Sequence, residues 1–168
     1  MKWTGRLGAA WGAAGVTGVL VFAIVRIGPK ALAAYAAGLD STQWIVAVAF
    51  AVFMAYSEGY RGFQLRFSPR TAARVRYLRD RPNFLRSLLA PLFAMGFFHA
   101  NRRTRTVAYG FSLGIAALIL LVRLLEQPWR GIVSMGVVLG LTWGIVSLAA
   151  SIVTALTRDE YPVSPEVG

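Results

Sequence analysis

The chain has 168 residues, of which 57% are hydrophobic and 15% charged, and its formal net charge is +11. A soluble domain of average composition carries about 25% charged residues, so this composition predicts an integral membrane protein. The chain contains no cysteine, which excludes disulfides, thiol chemistry and thiolate metal sites. Its single histidine, His99, excludes a bis-histidine haem within one chain.

Four stretches with few or no charges are candidate membrane spans, at about 7–27, 41–60, 104–125 and 129–157. A spanning helix needs roughly 20 apolar residues, which these stretches supply. A fifth apolar stretch, 84–100, is shorter and contains Pro91, so we expect an interfacial or re-entrant helix there. The predicted fold is an all-α four-transmembrane-helix bundle that forms one membrane domain over residues 1–168.

Cap residues sharpen two of these boundaries. Asp40 precedes the second stretch and Asn101 precedes the third, and both residue types favour the N-cap position of a helix. The first stretch has the positive start of a signal peptide. Its apolar run is longer than usual for one, and Pro29 and Lys30 separate it from the nearest cleavage-type sequence. We therefore expect a retained helix.

The basic residues predict the orientation of the chain. Eleven arginines lie between Arg61 and Arg105, and Asp80 is the one acid among them. Because cytoplasmic flanks collect Lys and Arg, we expect residues 61–103 to form a cytoplasmic-side insertion and both termini to be cytoplasmic. Arginines greatly outnumber lysines, which suggests a GC-rich bacterial genome and a location in the bacterial inner membrane.

An arginine-rich helix is predicted within this insertion, beginning at Ser68-Pro69 and ending at Arg81. Its basic residues are distributed over more than one face. We expect them to bind anionic lipid headgroups, other protein subunits, or both, and the absence of a recognition module argues against nucleic acid. The candidate binding residues are Arg66, Arg70, Arg74, Arg76, Arg79, Arg81, Arg102, Arg103 and Arg105.

Small residues recur at four-residue spacing in three of the predicted spans. Such spacing gives a helix a smooth face, which lets backbones approach closely. The face serves either packing within the bundle or packing against another subunit. The residues are Gly8, Gly12, Gly110, Gly114, Gly136, Gly140 and Gly144.

Few residues indicate chemistry. Residues 110–114 match G-x-S-x-G, but a nucleophile elbow needs a strand–turn–helix setting, and this match lies in an apolar helix. Glu58 and Arg61 are spaced for an ion pair at the inner end of the second span, and with His99 they could line an inner mouth. The sequence indicates no catalytic residues, metal site or cofactor.

These observations predict a non-enzymatic accessory, assembly or scaffold subunit of a larger membrane complex. It would dock through its arginine-rich cytoplasmic face and its glycine-lined grooves. The alternative is a small homo-oligomeric transporter or channel, and a third class is a lipid-acting membrane enzyme.

Overall fold

The computed structural model describes the backbone of residues 2–167. In the helix that begins at Arg102 it leaves out the side chains of residues 103, 107, 111, 112, 114–119 and 121, so the predicted sites Arg103 and Gly114 lie outside the described side chains. The helices are α1 Lys2–Ala36, α2 Ser41–Met54, a π-helix Ala55–Phe67, α3 Ser68–Asp80, α4 Phe84–Leu88, α5 Ala90–Met95, α6 Arg102–Leu124 and α7 Trp129–Thr157. The described backbone contains no strand, which confirms the all-helical prediction.

Two helices are long and apolar enough to cross a membrane, over Trp3–Ala36 and Trp129–Thr157. Within the most apolar 18 residues of each helix, only 22% and 39% are buried inside the protein. Most of their apolar surface therefore faces outward. Contiguous exposed apolar surface of this extent is rare on soluble monomers. The other two predicted spans are not established, and α2 by itself has 14 residues, fewer than a span needs.

Residues 41–80 form one uninterrupted helical segment. Asp40 caps its start as predicted, because its side chain accepts a hydrogen bond from the Gln43 amide at 2.8 Å while Gln43 Oε1 accepts one from the Asp40 amide at 3.0 Å. The arginine-rich helix α3 begins at Ser68 as predicted, and it follows the π-helix with no loop between them. Pro69 lies in the first turn of α3, where a missing N–H costs little.

This long segment runs parallel to α7, and the glycines of α7 allow the close approach. A Cβ atom built on Gly136 would lie 2.5 Å from the Phe50 ring, and one on Gly144 would lie 2.7 Å from the Phe63 ring. Gly140 faces Glu58. The predicted small-residue face is thus occupied from within the chain.

The π-helix changes the register of this packing. Glu58 lies beside Gly140, and the Ser68 hydroxyl lies 2.8 Å from that of Ser147. Ten residues of the 41–80 segment therefore cover the same length along the bundle as seven residues of α7. At the α-helical rise of about 1.5 Å per residue, ten residues would overshoot seven by roughly 4.5 Å. The wider, shorter π-helix removes that mismatch.

Helix α1 runs antiparallel to α7. Near its start, Gly5 lies against the backbone carbonyl of Arg79, and near its end Ala34 lies against Gly131. The two ends of the chain therefore lie at the same end of the bundle as α3. The buried core is built from α1, the π-helix, α3, α5 and α7 and contains Ala9, Val16, Leu20, Phe63, Val75, Leu78, Ala90, Phe93, Ala94 and Leu148.

The segment predicted as a cytoplasmic-side insertion contributes much of this core. Val75, Leu78 and Phe93 are completely buried, and α3 packs between α1 and α7. The stretch predicted to be interfacial or re-entrant folds as two short helices, α4 and α5, against α1. Pro91 occupies the first turn of α5, so it begins a helix rather than kinking one.

Close helix contact at Gly131 predicts a large effect of one added methyl group. A Cβ there would lie 2.0 Å from the Ala34 Cβ, which is fixed to the α1 backbone. We expect Gly131→Ala to lower the free energy of unfolding by about 1–3 kcal/mol through overpacking. Denaturation in detergent micelles measures it. Gly18→Ala is the matched control, since no atom lies within 4 Å of its added Cβ, and equal losses in both variants would contradict the proposed contact.

Candidate functional site

The buried guanidinium of Arg74 is the most unusual feature of the arginine-rich region. Arg74 lies on α3 and is 1% exposed. Its Nη1 donates to the carbonyls of Phe93 at 2.6 Å and Phe98 at 3.4 Å. Its Nη2 donates to the carbonyls of His99 at 2.8 Å and Glu166 at 3.3 Å. One side chain therefore joins α3 to α5, to the loop before α6 and to the C-terminal segment.

Aromatic and ionic neighbours surround this guanidinium. The Phe93 ring centroid lies 4.6 Å from the Arg74 guanidinium carbon and 5.9 Å from that of Arg86, distances at which a ring face attracts a cation. Burial lowers the pKa of Arg74 to about 10, an effect that the Glu166 carboxylate opposes and Arg86 reinforces. At neutral pH the group remains charged, because its pKa still lies well above 7.

Two residues held by Arg74 have strained backbones. His99 and Glu166 have φ values of 46° and 48°, and they are the described non-glycine residues with positive φ. Left-handed conformations cost non-glycine residues roughly 1–3 kcal/mol and persist where surrounding contacts hold them. Here Nη2 of Arg74 bonds to the carbonyls of both residues.

Arg76 and Arg79 bind the C-terminal end of α7. Arg76 donates to the carbonyls of Ala155 at 3.0 Å and Arg158 at 2.7 Å, and also to that of Asp159. Arg79 donates to the Leu156 carbonyl at 2.8 Å. The last carbonyls of a helix lack intrahelical partners and carry the negative end of its dipole, so these two cations cap α7.

The remaining predicted binding residues are more accessible. Arg70 is partly exposed, and its Nε lies 4.0 Å from the Glu166 carboxylate. The exposed ones are Arg66, Arg81, Arg102 and Arg105. The predicted binding face thus divides into a structural set, Arg74, Arg76 and Arg79, and an accessible set that could meet a phosphate or a carboxylate.

The structure does not bring Glu58, Arg61 and His99 together. Glu58 lies beside Gly140, the twelfth residue of the 29-residue α7, whereas the His99 carbonyl is bound by Arg74 near the end of that helix. No ion pair within 4.0 Å joins Glu58 to Arg61, both of which are described. The predicted i,i+3 pairing assumed α-helical geometry, and these residues lie in the wider π-helix.

An open cleft of about 750 Å³ follows the outer face of α7 beside the π-helix. Trp143 donates to Gln64 Oε1 at 2.8 Å, and the Tyr161 hydroxyl donates to the Pro69 carbonyl at 3.3 Å. Burial raises the pKa of Tyr161. The lining is apolar toward the start of α7 and polar toward its end, and consists of Gln64, Leu139, Thr142, Trp143, Val146, Ser147, Ala150, Ser151, Thr154 and Tyr161.

Sequence reasoning did not identify Gln64, Tyr161 or Glu166. Each acts through a partner 62 or more residues away in the chain, and no local spacing indicates such a contact. Glu166 could have been suspected on one ground. It is one of few acids in a strongly basic chain, so an arginine partner was to be expected.

The four carbonyls around Arg74 predict that lysine cannot replace it. A lysine has a compact ammonium in place of the planar fork of donors. We expect Arg74→Lys to cost about 3–5 kcal/mol of unfolding free energy, the usual loss when a buried charge network is broken. Denaturation in detergent measures it. Arg66→Lys, an exposed change in the same helical segment, should be neutral, and a tolerated Arg74→Lys would contradict the assigned role.

No family model, curated protein or solved structure matches this chain.

Proposed function

We propose that this protein is a non-enzymatic accessory, assembly or scaffold subunit of a larger complex in the bacterial inner membrane. Helices α1 and α7 are the two described helices with the length and apolar surface to span the bilayer. Both chain ends lie beside α3, where the arginines concentrate, so the positive-inside tendency places that end in the cytoplasm.

The observation that carries this proposal is the exposure of three described positions on α6. Tyr109, in the third turn, contacts the Phe97 ring at a centroid distance of 5.5 Å, and near the end Arg130 donates to the Arg123 carbonyl at 3.0 Å. Between these contacts Leu113 and Leu120 are exposed, and a Cβ built on Gly110 would meet no atom within 4 Å. Gly110, Leu113 and Leu120 thus form an open part of the described α6 surface.

A membrane-spanning helix of another subunit fits this open face. The glycines of α1 and α7 are mostly covered by the chain's own side chains, whereas Gly110 is open. Close packing at a small residue is the usual basis of helix association in lipid, where hydrophobic drive is absent. The exposed arginines at the cytoplasmic end, including Arg102 and Arg105 at the start of α6, would give such a docking its orientation.

A leucine at position 110 tests this docking directly. We expect Gly110→Leu to remove the partner subunits while leaving the unfolding free energy unchanged, because the added side chain enters open space in the isolated chain. Gentle purification from native membranes followed by native mass spectrometry measures the stoichiometry. Gly18→Leu, on an equally open site of α1, should retain the complex. Recovery of the same complex from both variants, or of a self-oligomer alone, would overturn the docking proposal.

A second candidate function, a small transporter or channel, is favoured by the position of Glu58. Its partly exposed side chain lies next to Gly140, close to the midpoint of α7. Ionisable groups at such depth in a bilayer are costly and commonly mark ion or substrate paths. It also lies in the π-helix, a conformation that is frequent at functional sites.

Proton flux into vesicles tests this second candidate. If Glu58 carries protons, we expect Glu58→Gln to abolish the pH change that a dye reports inside proteoliposomes, because an amide does not titrate. His99→Gln should leave the flux unchanged, since His99 lies toward the far end of α7. Absence of flux with the unsubstituted protein, or equal flux with Glu58→Gln, would remove the transport candidate.

A further inference from the structure

The C-terminal segment Tyr161–Val167, here called the latch, places a carboxylate in a cationic seat. The Thr104 hydroxyl donates to Oε2 of Glu166, and Arg70 Nε lies 4.0 Å from Oε1. Thr104 belongs to the first turn of α6, whose N-terminus attracts anions. The seat is therefore formed by a guanidinium, a hydroxyl and a helix N-terminus, and a side chain of the protein itself occupies it.

Positive charge around the seat exceeds the single negative charge that fills it. Besides Arg70, the guanidiniums of Arg74 and Arg86 lie close enough to influence one another. Glu166 is the one acid that the described ion pairs and charge interactions place among these three arginines. Without Glu166 the seat would be left with uncompensated cations, which an external anion would neutralise.

The contacts of the latch are modest. The Arg70–Glu166 pair is partly exposed, with 38% and 30% of the two side chains accessible, and such pairs contribute little to stability. Glu166 also has a left-handed backbone, which favours release. Two contacts oppose release: Arg74 donates a hydrogen bond to the Glu166 carbonyl, and Val167 packs on the core.

The seat lies at the depth of lipid headgroups if α7 spans the bilayer as proposed. Tyr161 contacts the Pro69 carbonyl at the start of α3, and α3 runs along the last turns of α7. We propose that the latch is a displaceable cover, and that the seat of Arg70 and Thr104, beside the buried charge of Arg74, binds the phosphate of an anionic lipid headgroup when Glu166 leaves. This inference rests on the proposed membrane location but not on any partner subunit.

Cysteine labelling can follow the latch, because the chain has no native cysteine. Val167→Cys, reconstituted as the full chain, would be treated with a maleimide in phosphatidylcholine vesicles and in vesicles that also contain phosphatidylglycerol. We expect phosphatidylglycerol to raise the labelling rate about two- to fivefold, the range that a partly exposed ion pair can contribute. Vesicle flotation, measured separately, reports membrane insertion, so failure of insertion is distinguished from failure of the latch.

Three further substitutions, each combined with Val167→Cys, separate the roles of the residues. Glu166→Gln should raise the labelling rate in phosphatidylcholine alone. Arg70→Gln should also loosen the latch but abolish the further response to phosphatidylglycerol, because the seat has lost its accessible cation. Glu160→Gln is the control, since Glu160 is an exposed acid just before the latch. It should behave like the parent.

Lipid retention gives a second readout that needs no cysteine. In native mass spectrometry, Glu166→Gln should retain more phosphatidylglycerol than the unsubstituted protein, and Arg70→Gln should retain less. Equal retention in all three would overturn the proposal. Release of the latch by inorganic phosphate or by polyglutamate, but not by phosphatidylglycerol, would overturn the assignment to lipid in favour of a free anion or an acidic protein.

Discussion

A buried guanidinium bonded to four backbone carbonyls is the contact on which the end of the bundle around α3 depends. Arg74 holds α5, the loop before α6 and the C-terminal segment against α3. These segments are short or irregular, since α5 has 6 residues and the described parts of the other two contain no helix. A charge buried this deeply is tolerated because its terminal nitrogens donate to four carbonyls, which replace the hydrogen bonds that water would make. The same guanidinium bonds to the two left-handed residues, His99 and Glu166, and so holds the C-terminal latch in place.

The second constraint is the fit between the 41–80 segment and α7. Glycines on α7 bring the two helices close enough that the ring of Phe63 and the hydroxyl of Ser68 reach across. The π-helix keeps the contacts between the two helices in register over that distance. One consequence is that Glu58 lies opposite the middle of α7 rather than at its inner end. Another is that α3 continues straight from the π-helix into the core, where Arg74 meets its carbonyls.

Local signals in the sequence predicted the helical class, the caps at Asp40 and Asn101 and the close packing of the α7 glycines, because each depends on residues a few positions apart. The start of α3 at Ser68 is confirmed as well. The ion pair expected between Glu58 and Arg61 does not form within 4.0 Å, because the π-helix changes which residues face each other. The contacts of Arg74 with distant segments could not be predicted from the sequence either. Its partners are main-chain carbonyls, which every residue possesses, so no residue type identified them.

That use of carbonyls changes how the charge of this chain should be interpreted. An arginine neutralised by a carboxylate disappears from the net charge, but one bonded to carbonyls and helix ends remains in the formal count while its donors are occupied. Arg74 belongs to this second kind, whereas Arg76 and Arg79 donate to carbonyls of α7 and also pair with Asp80, at 3.5 and 2.8 Å. The formal charge of +11 therefore overstates the cationic surface that can reach a partner or a lipid. Because the Nε of the partly accessible Arg70 lies 4.0 Å from the Glu166 carboxylate, the C-terminal segment reduces the charge that Arg70 can offer, whereas Arg66, Arg81, Arg102 and Arg105 stay exposed.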